Sequence, residues 1–319
     1  MSVHYGHKSV HALMTTTLRI GTRDSQLAVW QATHVQQLLQ EKGVAAELVH
    51  VKSEGDLNTV TPLYEMGVEG IFTKALDIAL LSKSIDLAVH SMKDVPVTLA
   101  KGLKQVAVLE RASYLDILVY KEDASFMDID QSATIASCSV RRIAQWLNRY
   151  PRHQMVSLRG NVNTRLKKLQ EHPWNGAIFA AAGLERINLR PANSLNLDWM
   201  LPAPAQGAIL VVCRDNDQHS FHAAQSLDHR ETALCTHIER EFLKTLHGGC
   251  STPVSALALI ERGELIFRGN IASHDGSHVQ QIEETRSVDQ TATLGQEMAA
   301  KLLSMDQAWI KRVLNKNKQ

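Results

Sequence analysis

The chain has 319 residues, 44% of them hydrophobic and 21% charged, and its 34 Lys plus Arg against 33 Asp plus Glu leave a formal charge of +1. That length accommodates two or three compact domains, and the balanced charge excludes a general attraction to nucleic acid or an anionic membrane, so any anion must be met by local cation clusters. No apolar run approaches the roughly 20 residues that span a bilayer. Residues 1–17 lack the apolar core of a secretion signal; they read as a flexible extension of a cytoplasmic protein, with Met14 as an alternative start. Cys138, Cys213, Cys235 and Cys250 show no Cys-x-x-Cys spacing, so neither a metal site nor a disulfide framework is expected.

In chain order, Leu18 to Thr22 reads as a strand, Arg23 to Ser25 as a turn, and Gln26 to about Glu41 as an amphipathic helix. Asp24 or Ser25 caps this helix, Leu27, Trp30, Val35 and Leu38 form its inward stripe, and Gly43 ends it. A strand at Ala46 to Lys52 leads into an aperiodic loop, Ser53 to Gly70, and a helix at Phe72 to Leu81 follows. Asp86 to Val89 is a short buried strand with His90, Ser91, Lys93 and Asp94 crowded at its carboxyl end, and Pro96 blocks continuation into a helix. Ligands of open α/β sheets bind at such ends, although a plain turn with a solvated Lys93/Asp94 pair fits the same residues.

Further strands are expected at Gln105 to Leu109, Ile117 to Tyr120, Thr134 to Ser137, Met155 to Leu158, Gly176 to Ala181 and Gly207 to Cys213, with a short helix at Ala182 to Ile187 and a Pro-rich crossover at Leu201 to Gln206. The last strand returns to the first sheet if two α/β domains interleave around a cleft. Glu231 to Leu246 reads as a helix, Ser255 to Ile260, Glu264 to Ile271 and Val279 to Arg286 as an antiparallel sheet, and Ala292 to Val313 as mostly helical, with Met298, Leu302, Leu303 and Trp309 as core candidates.

Three strand-to-helix junctions carry arginines: Arg23 beside Ser25, Arg141 and Arg142 behind Ser137 and Ser139, and Arg159 with Arg165. Cations at a helix start oppose its dipole, so a bound anion is the economical reason for them, against the alternative of good helix formers on a wet face. Cys250 follows two glycines in a loop and is expected to be accessible; it reads as a nucleophile, an attachment point or an incidental thiol.

RIGTRDSQLAVWQA, DLAVHSMKDVP, SVRRIAQ, LRGNVNTRL, LPAPAQGAI and HGGCSTPV stand in the order and approximate spacing of the porphobilinogen deaminase (hydroxymethylbilane synthase) family, and the resemblance runs from about Leu18 to the last helix. It implies two periplasmic-binding-protein-like α/β domains with a central cleft and a small α+β domain with an antiparallel sheet. The expected division is 18–112 with 207–228, then 113–206, then 229–319. It implies a transferase of tetrapyrrole (haem) biosynthesis that joins four porphobilinogen molecules head to tail, each losing ammonia, on a dipyrromethane cofactor, and releases hydroxymethylbilane with water. The cofactor is expected as a thioether on Cys250, with Lys93, Arg141, Arg142, Ser137, Ser139 and Asp94 around it. Arg23, Ser25, Gln31, Arg159 and Arg165 match substrate binders, and Asp94 matches the carboxylate that stabilises the azafulvene cation left by ammonia. A monomer is expected, with hand-off of product to uroporphyrinogen-III synthase.

The sequence departs from the family where Glu65 and Glu69 replace two usual loop lysines, Asn163 a usual glycine and Gln26 a usual proline. Two other readings fit parts of the chain. The first two domains alone read as a small-anion receptor, and Cys250 with His247 or His237 reads as a cysteine-dependent acyl transferase.

Overall fold

The computed structural model describes residues 17–52, 73–249 and 251–315. The expectations for the N-terminal extension, for the loop with Glu65 and Glu69, and for Cys250 lie outside the described residues.

The first α/β unit is built on β1 (Leu18–Thr22), β2 (Ala46–His50), β3 (Leu87–Ser91), β4 (Leu103–Val108) and β10 (Ile209–Arg214), in the order β2-β1-β3-β10-β4. β1 runs parallel to β2 and β3, whereas β10 is antiparallel to both its neighbours. The strands are apolar on both faces because both are covered. Leu87 and Val89 pack with α1 (Gln26–Glu41), while Ala88 between them packs on the other face with Leu76 and Leu80 of α2 (Lys74–Leu81).

The second unit uses β5 (Asp116–Tyr120), β6 (Thr134–Ala136), β7 (Gln154–Val156), β8 (Gly176–Ala180) and β9 (Ser194–Asn196), in the order β7-β6-β8-β5-β9. Helices α3 (Val140–Arg149), α4 (Val162–Glu171) and α5 (Ala181–Glu185) cover it: Ile117 and Val119 face Leu169 and Leu184, and Leu118 faces Trp146 and Tyr150. A further helix, α6 (Gln218–Ala224), packs on the first sheet through Phe221. In the third unit, α7 (Arg230–Thr245), α8 (Leu294–Met305) and α9 (Gln307–Asn315) accompany an antiparallel sheet of β11 (Val254–Glu261), β12 (Glu264–Ala272) and β13 (Val279–Ser287). Phe242, Phe267, Met298 and Leu302 are among its buried residues.

Two crossovers join the α/β units, one between β4 and β5 and one between β9 and β10. They lie against each other, with Ala112 N donating to Gly207 O at 3.1 Å. Gly207 has φ +88°, and a Cβ there would come within 2.7 Å of the carbonyl oxygens of Ala112 and Ser113. Glu239 of α7, fully buried, fixes both crossovers: it pairs with Arg111 at 2.6 Å and accepts from Ala205 N at 2.6 Å.

Several local expectations change. The inward face of α1 is Gln31, Ala32, Val35 and Leu39, while Trp30 is 36% exposed and stacked on His34. Of the expected stripe, Val35 is buried and Leu38 packs partly buried against the same core, whereas Trp30 lies on the exposed flank of the helix. β3 extends through His90 and Ser91, because Ile209 pairs with Ser91. The last helical stretch breaks between Met305 and Gln307, where Asp306 caps α9 through Trp309 N. β9 and α6 had no apolar period strong enough to be read.

Candidate active site

Polar groups stand at the carboxyl ends of β1, β3, β6 and β7, and Lys93 and Asp94 of the first unit interact electrostatically with Arg141, Arg142 and Arg165 of the second. Ser25 caps α1 by accepting from Ala28 N at 3.3 Å, which places Arg23 at the end of β1. Gln31, 2% exposed, donates to Ser91 Oγ at 2.9 Å and thereby ties α1 to the end of β3. Asp24, the other candidate cap, pairs with His50 instead.

Beyond β3 the chain makes a single 3-10 turn, Met92 to Asp94, that leaves Asp94 exposed and Lys93 half-buried. Arg240 of α7 clamps this turn from behind, donating to the carbonyls of Met92, Val95 and Pro96 at 3.2, 2.9 and 2.5 Å. Lys93 Nζ donates to Gln206 Oε1 at 3.1 Å. Burial pushes the Lys93 ammonium down to about 8; Arg142 and Arg141 add to the effect, while Asp94 and Asp116 oppose it. His90 is held neutral by burial and by the charge of Arg23, down to about 4.

Opposite stands α3. Ser137 Oγ accepts from Ser139 N at 3.2 Å, and Ser139 accepts from Arg142 N at 3.5 Å, so both serines build the helix start. Arg141 and Arg142 are buried on one internal carboxylate. Arg141 Nη2 lies 2.7 Å from Asp116 Oδ2, and Arg142 donates to Oδ1 from Nε and Nη2 at 3.0 and 2.7 Å. Burial alone would raise the Asp116 carboxyl, but the two guanidiniums hold it well below the usual carboxylate range. Part of the anion that the paired arginines imply is therefore supplied by the protein itself.

At the start of α4, Arg165 Nε donates to Gly160 O at 2.7 Å, and burial lowers its guanidinium against the opposing effects of Cys138 and Asp94. Arg159 is 7% exposed, and its Nη1 has no hydrogen-bond partner among the described residues. Such a group calls for an acceptor from outside.

The structure thus brings Arg23, Ser25, Lys93, Asp94, Ser137, Ser139, Arg141, Arg142, Arg159 and Arg165 to facing strand ends, with Gln31 as an internal support. Sequence reasoning missed Asp116, Gln206 and Arg240. Asp116 had a readable signal, a carboxylate opening an otherwise apolar strand, whereas Gln206 and Arg240 are recognisable only by their contacts. The donor set fits a dipyrromethane cofactor: clustered guanidiniums, an ammonium and an unmet buried N–H suit several carboxylates at once.

Residues 18–222 match the family model of the porphobilinogen deaminase dipyromethane cofactor binding domain, and residues 233–304 match that of the porphobilinogen deaminase C-terminal domain. The chain is 41% identical over 298 residues to the porphobilinogen deaminase of Syntrophotalea carbinolica, covering 92% of this chain and 94% of that one. The chloroplastic enzyme of Oryza sativa is 41% identical over 282 residues, covering 85% and 78%. Among solved structures, the VFT2 domain of Bordetella pertussis BvgS aligns with TM-score 0.41 at 15% identity, over 68% of this chain and 90% of that one. The methionine binding protein MetQ aligns with TM-score 0.43 at 13% identity, over 66% and 89%. Matched by both family models along most of its length and by full-length relatives, the chain belongs to the porphobilinogen deaminase family.

Proposed function

We propose a division of labour among these residues for the reaction of the family, in which this transferase condenses four porphobilinogen molecules and releases hydroxymethylbilane. Lys93, Arg141, Arg142, Ser137 and Ser139 hold the carboxylates of the dipyrromethane cofactor, and Cys250 is its attachment point. When bound, the cofactor supplies the pyrrole carbon from which the chain is extended.

Arg23, Ser25, Arg159 and Arg165 take the acetate and propionate of incoming porphobilinogen, each charge-assisted hydrogen bond contributing roughly 1.5–3 kcal/mol. Asp94 carries the chemistry. Its carboxylate accepts pyrrole N–H groups and stabilises the positive charge that develops on substrate carbon as ammonia leaves. The observation that carries this reading is the exposure of Asp94 on a turn fixed by Arg240, beside the half-buried Lys93 and within the field of Arg165. The clamped backbone of this turn holds the carboxylate in place beside the cations.

The test separates loading from turnover. Asp94→Ala should still gain the pyrrole adduct on Cys250 when apoprotein is given hydroxymethylbilane, while porphobilinogen consumption falls about 100- to 1,000-fold, the scale of one lost electrostatic stabiliser. Wild-type consumption by Asp94→Ala would refute the assignment. We further propose the domain division 18–112 with 207–228, 113–206 and 229–319, a cytoplasmic monomer, and direct hand-off of product to uroporphyrinogen-III synthase. Among the described residues no helix is long and apolar enough to cross a membrane.

A further inference from the structure

Gln206 sits on the second crossover with its amide fully committed. It is 1% exposed, its Nε2 lies 2.8 Å from Tyr114 O and 2.9 Å from Asp116 Oδ1, and its Oε1 lies 3.1 Å from Lys93 Nζ. Both neighbours of Nε2 are acceptors and the neighbour of Oε1 is an ammonium, so the chemistry admits one orientation of the amide.

The backbone around it is equally constrained. Ala205 has φ +62° and Gly207 φ +88°, Gln206 O accepts from Arg111 Nε at 2.8 Å, and Gln206 N donates to Ala203 O at 2.9 Å. Because Lys93 belongs to the first α/β unit and Asp116, Arg141 and Arg142 to the second, the chain Lys93–Gln206–Asp116 crosses the junction between them. Rotation of this amide would put its NH2 against the ammonium and its oxygen against the carboxylate.

We propose that Gln206 is a positioning residue that sets the Lys93 ammonium in register with the Asp116–Arg141–Arg142 cluster, so that the clamp for the cofactor carboxylates is assembled before any ligand arrives. This rests on the assignment of Lys93 to the cofactor. The charges facing Lys93 are Asp94 on its own turn, Asp116 of β5, and Arg141 and Arg142 of α3. Asp94 and Asp116 favour the ammonium and the arginines oppose it. Gln206 adds a neutral acceptor, which holds the ammonium more strongly than it would the neutral amine.

The experiment uses full-length apoprotein. The titration of Lys93 is read from its acetylation rate against pH on the peptide that carries it, and loading is read by mass after addition of hydroxymethylbilane. Gln206→Met keeps the length and removes the acceptor, so the Lys93 midpoint should fall by about one pH unit, and the pH above which loading slows should fall with it. Gln206→Glu keeps an acceptor and adds a negative charge, so both should rise by a similar amount.

A side chain that merely filled space would not move the midpoint in opposite directions. Midpoints unchanged in both variants, or displaced the same way, would overturn the proposal. Should Gln206→Met not fold, Gln206→Ala, which removes the acceptor without adding bulk, should lower the Lys93 midpoint in the same way, and an unmoved midpoint there would overturn the proposal. Lys93→Met distinguishes the underlying assignment: wild-type loading in that variant would remove Lys93 from the cofactor clamp, whereas slowed loading beside unmoved Gln206 midpoints would remove only Gln206.

Discussion

Asn163 at the start of α4 donates from Nδ2 to Gln26 Oε1 at the start of α1, 2.9 Å away, and so bridges the two α/β units at the mouth of the cleft. Both side chains are exposed. The family resemblance leads one to expect glycine at 163 and proline at 26, and the side chains present at these two positions pair with each other. An exposed neutral hydrogen bond contributes about 0.5–1.5 kcal/mol. In a double-mutant cycle with Gln26→Ala and Asn163→Ala, the coupling read from thermal unfolding should be no more than about 1 kcal/mol. Turnover should change less than about threefold if cleft opening is not limited by this contact.

Asp116 is the carboxylate on which the cation cluster depends. Asp116→Asn leaves Arg141, Arg142 and Lys93 without a buried counter-charge, and such uncompensated pairs lose about 3–5 kcal/mol. Denaturant unfolding of the apoprotein should show a loss of that size. Since like charges would then face one another, a polycarboxylate added to the variant should restore more stability than it adds to wild type.

His90 makes stability depend on pH. Its folded pKa, about 4, lies below the ordinary 6.5, so the unfolded chain binds the proton more readily. Its contribution is complete above pH 6.5 and is lost as pH falls from 6.5 to 4, to the extent of roughly 3 kcal/mol. His90→Gln should flatten the stability profile in that window; an unaltered slope would place the titration elsewhere.

Gly207→Ala should be severe. The new Cβ would meet two backbone carbonyls at 2.7 Å in a backbone region that L-residues avoid. A loss above about 2 kcal/mol, with impaired cofactor loading because Gln206 is the preceding residue, is the expected result.

Much of this architecture was legible because it is local. Strand, Ser cap and helix recur at Ser25 and Ser139, and both serines make the bonds their positions require. The arginines were readable as a cluster because cations gain nothing at helix starts. Trp30 was misread, since an indole in a helical period says nothing about which flank of the helix meets the sheet. Asp116, Gln206, Glu239 and Arg240 stayed hidden for a different reason. Each acts on residues far away in sequence: Arg240 grips Val95, Gln206 spans from Lys93 to Asp116, and Glu239 joins Arg111 to Ala205. Spacing along a chain carries no trace of such contacts.

The most direct test of the account is the intact mass of the denatured protein after purification and after addition of hydroxymethylbilane to any apoprotein, with a peptide map to locate the adduct. The account predicts an excess equal to two condensed porphobilinogen units on the protein as purified, and to four on apoprotein that has taken up hydroxymethylbilane, in both cases carried on the peptide containing Cys250. No adduct after that treatment, or an adduct on Cys138, Cys213 or Cys235 instead, would contradict it.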